Sequence, residues 1–297
     1  MPAVSQKSRR QIFPTMKKNI QFIFFFLLLP LLLSAQKNNN NRIDWKSFMA
    51  EHDLIWTRLP AVLWEAPFMG NGMTGTYIVY QEEDNAIRFE ICRSDVHDHR
   101  KVENNNTLFS RPRLMIGHFL LKPTGKITGW NVRTDIYNAI TYGDIITNKG
   151  KIGFMSFVPS SEESGIIIET YPSGNESDTQ WEWVSASPNS PRYDKFKAMG
   201  NNDRVIREYI PNPVPVVDLK NNTVLFKYLE EGETAVCWKY TDKNEHKLHI
   251  SVTHSFPERN ALEKAQKALA SMVKQGTKRS EERRVGKECR SRWSPYH

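Results

Sequence analysis

From Thr76 to Val252 the chain repeats one device: a short run rich in Ile, Val, Phe, Tyr and Trp, closed by a cluster of Gly, Pro, Asn and Asp. The runs are Thr76–Gln81, Ala86–Cys92, Gly117–Lys122, Val132–Ile140, Lys151–Val158, Gly165–Tyr171, Thr179–Ala186, Thr223–Leu229, Ala235–Tyr240 and Lys247–Val252. Branched and aromatic side chains suit a pleated, half-buried backbone, and the clusters between them suit turns. Alternation is explicit in Lys151-Ile152-Gly153-Phe154-Met155-Ser156-Phe157-Val158. It returns in Arg88-Phe89-Glu90-Ile91, where a period of two puts Phe89 and Ile91 on one face. No helical stretch separates the runs, so the sheets must cover one another. That predicts an all-β fold, a large antiparallel β-sandwich over residues 51–255.

One helix is expected after it. Beyond Pro257, Leu262, Ala265, Leu269, Met272 and Val273 recur at helical spacing, and Gly276 stands as a stop, which bounds the helix within 256–278. Its apolar stripe must be buried, either as a linker to a further domain or docked on the sandwich itself. The proline-rich segment Asn189–Asn222 reads as a long loop that crosses between sheets or covers one mouth of the sandwich.

Both ends of the chain read as foreign to the fold. Lys17 and Lys18 precede the apolar run Phe22 to Leu33, and Ser34-Ala35-Gln36 follows. A basic region, a short apolar core and a small residue before the cut define a secretory signal peptide, 16–35, cleaved after Ala35. The run is too short to span a bilayer, which takes about 20 apolar residues in a helix. Met16 is the expected start, with 1–15 upstream of it, and an Asn-rich polar linker occupies 36–50. Residues 279–297, RSEERRVGKECRSRWSPYH, resemble the forward translation of a common sequencing adapter. They are read as an appended, disordered tail. The mature body is then secreted or periplasmic, with no membrane attachment after cleavage.

Trimming decides the charge argument. The whole chain has 41 basic and 33 acidic residues, a net of +8. Residues 1–35 hold five basic and no acidic side chains, and 279–297 hold six basic and three acidic ones. Thirty of each sign remain, so the body is neutral and nucleic acid is excluded as a partner. Of the two cysteines in the body, Cys92 and Cys237, each lies in an apolar run. They read as small buried hydrophobes, with a disulfide as the alternative in an exported protein.

Two clusters carry candidate chemistry. Gly70-Asn71-Gly72 stands between Pro67 and the run at Thr76. It is either a tight turn entering the first core strand or a loop shaping a binding pocket, because glycine permits positive φ and close backbone approach. The second cluster is Arg93-Ser94-Asp95-Val96-His97-Asp98-His99-Arg100. If the preceding strand persists, Asp95, His97 and His99 share a face, with Asp98 and Arg100 on the other. Three uses are open: a satisfied polar network, contacts to sugar hydroxyls or a neighbouring domain, and a divalent metal on two imidazoles and a carboxylate. No metal spacing or cofactor motif stands out, so no metal and no cofactor is expected. Trp181 and Trp183 flank Glu182 and read as core rather than as a stacking platform. His246, His249 and His254 read as incidental.

Trp64-Glu65-Ala66-Pro67-Phe68-Met69-Gly70-Asn71-Gly72-Met73-Thr74-Gly75 resembles the opening of the N-terminal β-sandwich in glycoside hydrolases of family 95 and the related family 65. The Arg-Phe-Glu-Ile, Arg-Ser-Asp-Val and Asp-His-Arg segments that follow are closer to a secreted family, domain-of-unknown-function family 5703. The resemblance implies a super-sandwich of the galactose-mutarotase type with a C-terminal linker helix. It also implies carbohydrate as substrate and a helical catalytic barrel, here missing, as partner. In those hydrolases the acid and base come from the barrel, so no catalytic residue is carried over. Gly70, Asn71, Gly72, Arg93, Asp95, His97, Asp98, His99 and Arg100 become the expected substrate-binding or domain-interface residues. The run Arg93-Ser94-Asp95 departs from the Asn-Glu-Asp type of family 95, which removes any ground for naming fucose or galactose. Two other readings remain: a non-catalytic carbohydrate-binding or interface module, and a sugar-active enzyme within the sandwich. The last needs His97 or His118 facing a glutamate in one cleft. If the leader reading holds, terminal sequencing of the exported protein starts at Gln36; a mature chain that retains Phe22–Leu33 refutes it.

Overall fold

The computed structural model describes residues 43–100, 112–160, 165–242 and 246–284, with 276–284 by backbone alone. It divides into two units, Met1–Trp45 and Lys46–His297, and the second holds the fold. The expected leader, the upstream start, most of the polar linker and residues 285–297 of the expected tail lie outside the described residues.

The fold is an all-β sandwich of two antiparallel sheets with a C-terminal helix. After a short helix α1 (Trp45–Ala50) come β1 (Leu54–Trp56), a single turn of 3-10 helix at Leu63–Glu65, β2 (Phe68–Gly70), β3 (Thr74–Gln81), β4 (Ala86–Arg93) and β5 (Gly117–Lys122). The chain continues through β6 (Ile127–Asp135), β7 (Ile140–Thr147), β8 (Gly150–Phe157), β9 (Gly165–Gly174) and β10 (Gln180–Ser185). Helices α2 (Pro191–Ala198) and α3 (Arg204–Glu208) follow, then β11 (Val216–Asp218), β12 (Thr223–Lys227), β13 (Glu233–Tyr240), β14 (Lys247–Ser255) and α4 (Ala261–Arg284). Nine strands form one sheet in the order β1-β6-β7-β8-β9-β14-β13-β12-β11, and five form the other in the order β10-β5-β4-β3-β2.

Alternation places the core between the sheets. Phe89 and Ile91 point inward together, as their spacing requires, and meet Ile152, Phe154, Ile166, Ile168, Val236 and Ile250 from the larger sheet. Trp181 and Trp183 pack on this core from the edge strand β10. In β9 and β13 consecutive residues are buried, because the second face is covered as well.

That cover is α4. Ala261 and Ala265 lie fully buried against Ala235 and Cys237, and further along Met272 meets Phe157 and Ile167. Small side chains on both surfaces let the helix approach closely. Glu233 Oε1 accepts from Ala261 N at 2.8 Å, so a carboxylate stands at the helix N-terminus, where the peptide dipoles favour negative charge. Of the two readings of this helix, docking on the sheet is what the structure shows. Gly276 does not end it: the backbone stays helical to Arg284, six residues into the stretch read as a tail. A glycine inside a helix costs only about 1 kcal/mol against alanine.

Two further expectations are corrected, and the choice left open for the cysteines is decided. The run Val132–Ile140 is not one strand but the end of β6, a turn and the first residue of β7. Asp135 makes the turn by accepting from Asn138 N at 2.8 Å, and Ala139 has φ of 53°. Strand β7 was hidden by Gly143, which reads as a breaker. Here it is a close approach, since a Cβ on it would lie 2.1 Å from Asn131 O across the strand pair. Segment 189–222 is not a bare loop: α2 and α3 close on a small core of Tyr193, Ile206, Phe196 and Tyr209. Cys92 and Cys237 are both free thiols. Burial pushes each up to about 12, so both stay protonated and inert at neutral pH.

The inter-sheet aromatics should dominate stability. Phe89→Ala is expected to cost about 3–5 kcal/mol in denaturant unfolding, whereas Trp64→Ala, at a highly exposed ring, stays within about 0.5 kcal/mol.

Candidate functional site

The turn between β2 and β3 is built by Asn71. Its Oδ1 accepts from Met73 N at 3.0 Å and Thr74 N at 2.9 Å, and its Nδ2 donates to Pro159 O at 2.9 Å. Asn71 N donates to Thr74 O, and Gly72 takes φ of 90°, which only glycine adopts without strain. The side chain thus serves the turn, and ties it to the segment after β8 in the other sheet. Beside it lies an open groove of about 420 Å³ on the outer face of the five-stranded sheet, lined by Gly70, Gly72, Phe68, Tyr77, Arg93 and Arg113 among others. Phe68 and Tyr77 stand on paired positions of β2 and β3, their ring centroids 6.3 Å apart, and both are exposed.

The charged cluster behaves differently from the expected shared face. Strand β4 ends at Arg93, and of the following residues only His97 forms an isolated bridge, to Arg113. Without a continuous strand the period of two is lost, so Asp95, His97 and His99 diverge. Arg93, the last residue of the strand, reaches across the sandwich: Nη1 donates to Val252 O at 3.0 Å, while Nε and Nη2 hold Asp95 at 2.8 and 3.0 Å. Asp98, expected on the face opposite Asp95 and the histidines, is buried. It pairs with Arg100 Nε at 3.0 Å and accepts from Asn212 Nδ2 at 3.2 Å. Arg100 also donates to Ile210 O and lies over the Tyr209 ring, 4.5 Å from its centroid. Asp98 and Arg100 therefore stitch the 94–100 segment to the 189–222 segment.

His99 goes elsewhere. Its ring stacks on Phe256 at 3.7 Å, and its Nε2 lies 3.2 Å from His254 Nε2. His254 Nδ1 is 2.9 Å from Thr234 Oγ1, which accepts from Tyr228 Oη at 2.8 Å. With the Tyr228 proton on Thr234, the threonine hydroxyl donates to Nδ1, and His254 carries its proton on Nε2, toward His99. Burial holds His254 down to about 4, so its ring meets His99 as a neutral donor. Among the described residues no three His, Cys, Asp or Glu come together to hold a metal.

His118 does face a glutamate: its Nδ1 is 3.8 Å from Glu90 Oε2. Glu90 is 1 % exposed, however, and already receives Arg88 Nε at 2.7 Å. Burial raises the Glu90 carboxyl and depresses His118 to about 4. The pair is closed off rather than set in a cleft. His97 makes no such pairing with a glutamate among the described residues.

Sequence reasoning missed Asn212, Tyr209 and His254. Asn212 sits in Pro211-Asn212-Pro213, an unusual setting that marks it, but nothing in the chain pairs it with Asp98, 114 residues away. His254 gave no signal, since its partner is 155 residues distant.

No family model matches the chain, and no curated protein matches it. Among solved structures, it is similar to one named as a kojibiose phosphorylase from human microbiome, at 11% identity and a TM-score of 0.36. The match covers 73% of this chain and 31% of that one, so the chain spans under a third of that protein's length.

His254 sets a pH dependence. Its folded value of about 4 lies below its ordinary 6.5, so the unfolded chain binds more protons between these limits. Its contribution to stability is whole above pH 6.5 and lost as pH falls toward 4. Thermal unfolding across that window should show a shallower decline for His254→Gln than for the natural chain; equal slopes would refute the assignment.

Proposed function

We propose that this sandwich is the N-terminal accessory domain of an exported, glycoside-hydrolase-like protein acting on carbohydrate. Its catalytic residues would lie on a helical domain encoded beyond Lys278. The Gly70–Gly72 turn and the groove beside it are the face turned toward that partner. What carries the reading is the composition of the groove. It has glycine backbone, two exposed aromatic rings and an arginine whose carboxylate partner is already in place, and no pair of carboxyl groups poised for hydrolysis is among its lining residues. Hydrolysis of a glycosidic bond needs two such groups about 5–10 Å apart. A groove without them suits holding and shaping better than chemistry. The resemblance of Trp64–Gly75 to the hydrolase sandwiches supports the same assignment.

Gly70, Asn71 and Gly72 have the clearest role in it: they fix the shape of the rim. Arg93 and Asp95 brace that rim against β14, and Asp98 and Arg100 brace the neighbouring segment. His97 and His99 act through Arg113 and His254 rather than by touching a ligand in the groove. A second reading, a carbohydrate-binding module without a catalytic partner, is favoured by the exposed Phe68–Tyr77 pair, which could stack on sugar rings.

The decisive experiment reads the genomic frame past Lys278 and, where it continues, expresses that segment separately. Sedimentation of the mixture should then show association with the sandwich. The double variant Phe68→Ala, Tyr77→Ala should weaken it about tenfold or more, the loss of two aromatic anchors. A frame that closes at once, or two parts that ignore each other, would sink the accessory-domain reading.

A further inference from the structure

Helix α4 covers the outer face of the nine-stranded sheet chiefly over β13 and β14, and at its far end touches the start of β9 and the end of β8. The other half of that face, across β1, β6, β7, β8 and the far end of β9, carries a second groove of about 660 Å³. Pairing register lays its residues in two rows. One runs Ile55, Arg133, Tyr142, Met155, and the other runs Asn131, Asp144, Gly153, Tyr171. We propose that this groove binds a neutral oligosaccharide.

Three observations lead there. First, Gly153 interrupts the second row. A Cβ built on it would stand 3.4 Å from Asp144 Oδ1 and 3.6 Å from Tyr171 Cβ, so its absence opens a gap one side chain wide between a carboxylate and an aromatic ring. Second, the ring is fixed before any ligand arrives. Tyr171 Oη donates to Glu169 Oε2 at 2.7 Å, and Glu169 is held in turn by Lys247 Nζ at 2.6 Å. Tyr171 nevertheless remains 55% exposed and Tyr142 41%. An exposed ring with fixed orientation offers stacking area at little entropic cost.

Third, the charges on this face already cancel. Arg133 Nε binds Asp53 Oδ2 at 2.6 Å, and Lys151 Nζ binds Asp144 Oδ2 at 3.1 Å. An anionic or cationic ligand would have to break one of these pairs. A pyranose would not: its C–H face stacks on Tyr171 or Tyr142, and its hydroxyls reach Asp144, Asn131 and the edge of Arg133. Four strand spacings separate Ile55 from Tyr171, about 19 Å at the usual interval, which is room for several linked rings rather than one. The groove lies on the other sheet from the Gly70–Gly72 turn, so this proposal stands whether or not that turn meets a catalytic partner.

The test is calorimetric titration of the full chain with cellohexaose, xylohexaose and maltohexaose, each in turn. At least one should bind. Tyr171→Ala should weaken that binding about tenfold or more, through loss of the stacking ring. Gly153→Ile, whose Cβ sits at ordinary contact distances, fills the gap and should weaken it as much, while Trp64→Ala, at an exposed ring outside both grooves, should leave it unchanged. Failure of all three sugars to bind, binding that survives Tyr171→Ala, or binding that falls equally with Trp64→Ala would each overturn the proposal. Should Gly153→Ile fail to fold, Tyr171→Ala at an exposed position decides alone.

Discussion

The layer of aromatic rings between the two sheets is the contact on which the remaining structure depends. Phe119 of β5 meets Trp183 edge-on at 5.0 Å and Trp238 of the opposite sheet at 5.3 Å, while Trp183 stacks on Trp238 at 5.8 Å. Phe89 adds a perpendicular contact to Phe154 across the same gap, at 5.9 Å. Edge-to-face rings of this kind add to the area they bury and fix relative orientation. Without them a five-stranded and a nine-stranded sheet would have apolar faces but no preferred alignment. Both proposed grooves are on outer faces, so their geometry is set by strands whose opposite sides are locked in this layer.

The two outer faces are treated differently by the chain, and that difference is what leaves surface available for function. Over β13 and β14 the outer residues are small, with Ala235 and Cys237 against Ala261 and Ala265, and a helix settles on them. Over β7 and the far end of β9 the outer residues include the exposed rings of Tyr142 and Tyr171 with charged neighbours, and α4 seats on Phe157 and Ile167 at the other end of β8 and β9. The five-stranded sheet is open in the same way near Phe68 and Tyr77.

Much of the fold was legible because it rests on local pattern. The limits of β5 follow directly from the run Gly117–Lys122, and β3, β4, β8, β9, β13 and β14 are found within a few residues of their runs. What escaped was short or interrupted. The three-residue strands β1, β2 and β11 are too brief to show a period, and β7 was split by Gly143, whose reason lies in the neighbouring strand. The charged cluster shows the same boundary more sharply. Its composition marked it as important, yet the shared face of Asp95, His97 and His99 assumed a strand that ends at Arg93. At that end the Arg93 side chain reaches Val252 and Asp95, contacts made with groups on β14 and in the following loop.

The sequence by itself determined the class of fold, the alternating faces that meet in the core, the terminal amphipathic helix and the Gly-Asn-Gly turn. Each of these is a property of neighbouring residues, and period and turn chemistry act over a few positions at a time. Only the tertiary structure decided that Asp98 would be buried against Asn212, that His99 would meet His254, and that Gly153 would leave a gap beside Tyr171. Those pairings join strands and loops distant in the chain. The order in which strands associate and the closeness of their approach depend on the packing of the whole sandwich, which no local pattern encodes.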